Sequence, residues 1–195
     1  MTSGESEQPS QEDPAAVYNE FLAFLNDMAG AEAHAQPAVD RYITWLQEFV
    51  ASSPPNPENP DPTIFVGIGD PNLETTRTHQ QWTASQLPEK GLFTKRWIGQ
   101  QWIVGVFAGW EDEYRPRLAR ALGCSESRLT HDAFGDLRLM RNDVVHHRAE
   151  ATAHNTRRCR LLRWFVAGEM IDVSGEQVAE FMQAVPTKLP SKWTG

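Results

Sequence analysis

The chain reads as a single, mainly α-helical domain with room for at most a small two-stranded ribbon. Three observations predict this. Apolar side chains recur at three- and four-residue steps in several segments, a proline-rich stretch interrupts them, and only one short segment has a strand's composition. At 195 residues, 40% of them hydrophobic, the chain can bury one sizeable core, and a second full domain would be cramped.

Residues 1–13, with Ser, Gln, Glu, Pro and Gly and hardly an apolar side chain, read as a disordered tail. Helical spacing begins after Pro14. Val17, Phe21, Leu22, Phe24 and Leu25 form one stripe, and Val39, Tyr42, Ile43, Leu46, Phe49 and Val50 a second. An antiparallel helix pair over 14–52, joined between Ala31 and Pro37, is therefore expected. The proline-rich segment 53–62 breaks regular structure and is a stiff linker or a wrapped loop.

Residues 63–186 are expected to form the helical core. Thr63 to Ile68 has a strand's composition, and its one candidate partner is Met170 to Val173. A long helix is expected from Thr94 to about Leu122, carrying Trp97, Ile98, Trp102, Val106, Trp110 and Tyr114, with Pro116 kinking it or breaking it in two. Gly105 and Gly109 would let a neighbouring helix approach closely. Ser125 and Ser127 are candidate caps for a helix from about Arg128 to Ala153, and Asn155 or Thr156 for another through Trp164. Ser174 caps a last helix, Gln177 to Val185, which Pro186 ends, and 187–195 form a tail. Most tryptophans sit at apolar helical spacings and are expected as core or interface anchors, with Trp193 the one expected to be exposed.

Composition narrows the function. No run of about 18 apolar residues occurs, and the start of the chain is polar and acidic, so neither a membrane span nor a secretory signal is expected and a cytosolic protein is. Cys124 and Cys159 are too few and too isolated for a zinc cluster and are most simply buried small apolar residues. No His-x-x-x-His or Glu-x-x-His pattern points to a metal, and no glycine-rich phosphate loop, internal repeat or long heptad run is present.

A net charge of −8 runs against general nucleic-acid binding, but the charge is unevenly spread. From Met1 to Pro62 the only base is Arg41. From Arg138 to Arg163 the balance inverts, with Arg138, Arg141, Arg148, Arg157, Arg158, Arg160 and Arg163 opposed only by Asp143 and Glu150. A local basic site in an acidic chain suits a chosen anionic ligand.

Within that stretch Arg141-Asn142-Asp143-Val144-Val145-His146 places an arginine, an amide and a histidine on one helix. At about 100° per residue, Ala133, Leu137, Met140, Val144 and Ala151 make a core stripe, and Asn142 and His146 fall almost opposite it beside Leu139 and Ala149. Arg141 lies about 140° from His146, so the two meet only through the long arginine side chain or a shared ligand. His147 projects about 60° from Val144 and is expected as a buried or boundary histidine.

This run resembles the Arg-polar-x(3 to 5)-His signature of the HEPN superfamily (higher eukaryote and prokaryote nucleotide-binding). A second run, Trp110-Glu111-Asp112-Glu113-Tyr114-Arg115, is similar to the Trp-Glu-x-x-Tyr-Arg element of bacterial HEPN-like proteins. Together they span roughly residues 94 to 165, and residues 1–93 match nothing in the family's pattern. The resemblance implies a HEPN-like bundle of four or five helices, and a homodimer in which the motifs of two protomers converge. It also implies a metal-independent endoribonuclease, needing no cofactor, of the toxin or antiviral-defence kind, with RNA as substrate and an antitoxin or other protein as a further partner.

In that chemistry a base takes the 2′-hydroxyl proton, a cation stabilises the phosphate oxygens and an acid protonates the leaving 5′-oxygen. Histidine suits both proton transfers because its ordinary pKa is about 6.5. His146 takes that part, Arg141 grips phosphate with its planar fork, and Asn142 orients either one. Arg138, Arg148, Arg157 and Arg158 are the candidate substrate-binding residues, although a run of arginines also reads as a solvated face. His147 and Glu111 are supporting candidates, and Glu111 pairs either with Arg138 or Arg141 across helices or locally with Arg115. Two alternatives stand beside the nuclease: a non-catalytic HEPN-like module that binds a nucleotide or a protein, and a purely structural motif that closes a dimer.

Overall fold

The computed structural model describes residues 12–53, 56–67 and 79–190. The expected tail up to Gln11, Pro54 and Pro55 of the proline-rich segment, Ile68 and Trp193 lie outside the described residues. The architecture is mainly helical, with one small two-stranded antiparallel ribbon.

The chain divides into two compact units, Met1–Glu32 with Gly99–Gly195, and Ala33–Ile98. Two helices contribute to both: α1, Pro14–Ser52, and α2, Leu87–Ala108. The expected pair of helices over 14–52 is thus one helix of 39 residues that continues through Pro37. A proline removes one intrahelical hydrogen bond, but Ala29, Ala31, Ala33, Ala35 and Ala38 around it are the strongest of helix formers.

In the second unit, β1 (Thr63–Gly67) pairs with β2 (His79–Thr83), with Thr63 opposite Thr83 and Phe65 opposite Gln81. The expected partner Met170 to Val173 is not used; Met170 instead bridges Glu150. Asp61 tethers the foot of the ribbon, its carboxylate accepting from the Ser85 backbone N–H at 2.9 Å and from the Ser85 hydroxyl at 2.7 Å. Lys95 on α2 pairs with Asp40 on α1 at 2.8 Å, and Gly91 sits where a Cβ would come within 2.9 Å of Ile43. Tyr42, Trp45 and Phe49 stack on one another along α1 and are exposed, as is Trp97. Of the two places expected for tryptophans at helical spacing, core or interface, Trp45 and Trp97 are therefore not in the core.

In the first unit the second half of α2 runs into a π-helical turn, Gly109–Tyr114, and then α3, Arg115–Ala121. This is where Pro116 breaks the helix. Proline has no N–H, and its ring clashes with the carbonyl four residues back, so the turn widens: Arg115 N–H bonds the Trp110 carbonyl, five residues away. Gly105 and Gly109 do admit a close neighbour, the first half of α1. A Cβ on Gly105 would lie 2.8 Å from Met28, and one on Gly109 2.5 Å from Phe24.

Around these helices pack α4 (Asp132–His146), the short α5 (Ala153–Thr156) and α6 (Gly175–Ala184). Ser174 caps α6 as expected, in a reciprocal capping box with Gln177. The core is an aromatic cluster. Phe21 lies 5.2 Å from Trp110, 5.1 Å from Tyr114 and 5.6 Å from Phe134 between ring centroids, and Phe181 meets Phe134 and Trp102 edge-on. Tyr18 donates its hydroxyl to the Pro186 carbonyl at 2.7 Å, and burial pushes that phenol up to about 12. Phe21→Ala, which empties the centre of this cluster, is expected to cost about 3–5 kcal/mol of stability, read from denaturant unfolding followed by circular dichroism.

Candidate functional site

The candidate residues gather on α4 and on the chain that follows it. His131 caps the helix: its Nδ1 accepts from the Ala133 backbone N–H at 3.2 Å, a role that its sequence neighbours did not disclose. The helix is shorter than expected, Asp132–His146 rather than about Arg128 to Ala153. Its exit carries no glycine. Arg148 (φ 54°) and Ala149 (φ 60°) both take the left-handed conformation, and the N–H groups of His147 and Ala149 both bond the Asp143 carbonyl, at 2.9 and 3.1 Å. Residues 149–151 then pair with 168–171, with Ile171 N–H to the Ala149 carbonyl and Ala151 N–H to the Glu169 carbonyl, each at 2.8 Å.

Two buried carboxylates hold the following loop to α4. Asp136 accepts from three successive backbone N–H groups, those of Arg160, Leu161 and Leu162, at 2.7 to 2.9 Å. Asp143 accepts from the Thr152 backbone at 3.0 Å, the Thr152 hydroxyl at 2.9 Å and the Asn155 amide at 2.6 Å. Thr152 in turn caps α5. Sequence reading missed both anchors and expected Asn155 or Thr156 to cap a helix through Trp164, whereas α5 is a single turn and Asn155 is buried against Asp143 and the Leu139 carbonyl. The available signal was the seven-residue spacing of Asp136 and Asp143, which puts two acids on one helix face with Leu139 and Met140 between them.

The Arg-Asn-x-x-x-His residues occupy the last turns of α4. Arg141 and Asn142 are half-buried, and His146 is exposed. Neither hydrogen bond nor ion pair engages these three side chains among the described residues. The expected core stripe is present in Ala133, Leu137 and Met140. Three neighbours differ from expectation: Leu139 and Ala149, placed on the outward face, are buried, and His147, expected at the core boundary, is exposed because the helix ends before it. Glu111 takes the local partner, Arg115 at 2.6 Å, rather than Arg138 or Arg141.

Arg138, Arg157 and Arg158 come together. With Arg160 and Arg163 they line an open cleft of about 660 Å³ beside the N-terminal half of α4. Asp136 fixes the backbone that presents them. Of the five, only Arg160 has a carboxylate partner among the described residues, Asp132 at 3.2 Å. Arg158 meets His154 Nε2 at 3.0 Å, and Arg157 donates to the Ala153 carbonyl at 2.8 Å. Arg141, Asn142, His146 and Arg148 do not line this cleft.

Cys159 is buried as expected, while Cys124 is only half-buried. Burial pushes the Cys159 thiol up to about 11, which keeps it protonated and unreactive. Among the described residues no group of three or more His, Cys, Asp or Glu side chains could hold a metal ion, and no helix is long and apolar enough to cross a membrane. Comparison with protein families, with curated proteins and with solved structures finds no match to this chain.

Two outcomes follow from the anchors of α4. Asp136→Ala strands three backbone N–H groups and is expected to lower stability by about 2–4 kcal/mol, measured by thermal unfolding. Burial holds the His131 imidazole below the ordinary histidine value. The folded chain therefore binds fewer protons than the unfolded chain as pH falls below about 6.5, and the stability that neutral His131 contributes above that pH is lost below it. A His131→Asn protein, which keeps a capping side chain, is expected to show a smaller drop in melting temperature between pH 7 and pH 5.

Proposed function

We propose that this chain is a metal-independent endoribonuclease of the HEPN type, acting as a homodimer in which the ends of two α4 helices face one RNA strand. The observation that carries the proposal is the state of the motif: His146 exposed in the last turn of α4, and Arg141 and Asn142 beside it without partners among the described residues. Arginine and asparagine side chains that close a structure are normally engaged in it. The two consecutive left-handed residues Arg148 and Ala149, one residue beyond the motif, add backbone strain, which in proteins clusters at functional sites.

The chemistry needs no further group. His146 takes the 2′-hydroxyl proton, the 2′-oxygen attacks phosphorus, and the bond from phosphorus to the 5′-oxygen breaks as a protonated histidine of the second copy supplies that oxygen with a proton. Arg141 stabilises the charge on the non-bridging oxygens, and Asn142 holds the imidazole or the phosphate in place. The products are a 2′,3′-cyclic phosphate and a 5′-hydroxyl. A role as toxin or antiviral effector, with a protein partner that restrains it, rests on the family resemblance.

The cleft of Arg138, Arg157 and Arg158 favours a second reading, a non-catalytic module that binds a phosphate-bearing ligand, because the motif residues do not line that cleft. The deciding measurement is cleavage of a labelled tRNA and mRNA mixture in EDTA. Wild type is expected to leave cyclic-phosphate ends, and folded, dimeric Arg141→Ala and His146→Ala proteins to cut at least about a hundredfold more slowly. Cleavage by the variants at the wild-type rate, or none by any of the three, removes the nuclease reading.

A further inference from the structure

The second half of α1 carries an aromatic surface open to solvent. Ala35, Ala38, Tyr42, Trp45, Phe49 and Ser52 follow one another at alternating steps of three and four residues, the spacing of a coiled-coil seam. Tyr42, Trp45 and Phe49 are 43, 56 and 57% exposed, and their rings stack along the helix with centroids 5.9 and 6.1 Å apart. The helix packs through its other side. Asp40, paired with Lys95, and Ile43, set against Gly91, project roughly opposite the seam.

The size of this surface and the charges beside it say what covers it. Three half-exposed rings leave roughly 300 Å² of aromatic surface on one helix, as much as the largest apolar patch of an ordinary monomer. Pressed against its like, that surface removes about 600 Å² from water, over half of the roughly 1,000 Å² that a specific interface needs. The small residues and charges along the seam add to it. Arg41 and Glu48, seven residues apart, flank the seam on one side; both are exposed, and neither side chain has a partner among the described residues.

Charges beside a seam set the partner and its direction. In an antiparallel pair centred on Trp45, Arg41 of each copy meets Glu48 of the other, Tyr42 meets Phe49, and Ala38 meets Ser52. A parallel pair would turn Arg41 and Glu48 toward Leu46 and Ser53, which carry no charge. A lipid surface is a poorer occupant, because from Ala33 to Ser53 the chain offers one arginine and no lysine against Asp40 and Glu48.

We propose that this seam is a self-association surface on which a second copy of the chain docks antiparallel, Trp45 against Trp45. It lies in the unit Ala33–Ile98, which holds none of Arg141, Asn142 and His146, so it is an interface separate from the meeting of α4 ends and stands whether or not RNA is cleaved.

The experiment is analytical ultracentrifugation of the full chain from low micromolar to submillimolar concentration. Trp45→Glu, at an exposed position where helicity is unchanged, is expected to weaken association at least about thirtyfold. Arg41→Glu and Glu48→Arg each set like charges opposite one another and are expected to weaken it about tenfold, and the two together to restore it. A wild-type dimer that becomes a monomer in Trp45→Glu makes the seam the sole interface; a wild-type tetramer that becomes a dimer supports the seam and keeps the pairing of α4 ends. A Trp45→Glu protein that associates like wild type overturns the seam alone. A wild type that is monomeric throughout overturns both pairings, and its binding to phosphatidylcholine vesicles through Trp45 would identify lipid as the occupant instead. A double charge variant as weak as the single ones overturns the antiparallel docking.

Discussion

The hydrogen bonds from three successive backbone N–H groups to the Asp136 carboxylate are the constraint on which the arginine cleft depends. Residues 157–163, which follow α5, hold no helix or strand, so their backbone polar groups need partners from elsewhere. One buried carboxylate supplies three of those partners at once and thereby fixes where the arginines of this loop emerge. Asp143, two turns further along α4, repeats the device for Thr152 and Asn155. Both acids act as internal ligands for backbone and amide groups, so they do not neutralise the arginines beside them. A chain of net charge −8 thus keeps a patch of five arginines of which, among the described residues, only Arg160 has a carboxylate partner.

That arrangement sets how the patch responds to salt. Guanidinium groups open to solvent attract anions over a Debye length of about 8 Å at physiological ionic strength, so that attraction weakens as salt rises.

How much of this was legible varies with the kind of interaction. Local signals read well: Ser174 with Gln177 is a capping box in sequence and in structure, the long helix is interrupted next to Pro116, and Gly105 and Gly109 do sit under a neighbour. Signals that depend on competition read less well. Pro37 looked like a break, yet an alanine-rich context carries the helix through it. Arg148 and Ala149 stop α4 without glycine, because pairing of 149–151 with 168–171 holds them in a conformation that their side chains disfavour. The strand partner was misplaced for the same reason: the residues around Met170 were already taken by that exchange. Of the candidate site, the exposure of His146 follows from helix periodicity. The union of Arg138 with Arg157 and Arg158 follows from Asp136, whose buried role no single-residue rule predicts.

The π-helical turn at Gly109–Tyr114 has a consequence for how the chain tolerates changes of length. Such a turn accommodates one more residue than an α-helical turn does, so it behaves as an insertion absorbed in place. Removing one residue there would restore regular winding with Leu118 and Ala119 still turned to the interior, whereas winding the surplus residue into an ordinary α-helical turn would rotate everything downstream by about 100°. Residues before and after the turn therefore keep their faces because the wide turn takes up the surplus residue, and the chain can lose one residue at this point with less disturbance of its core than elsewhere in the helix.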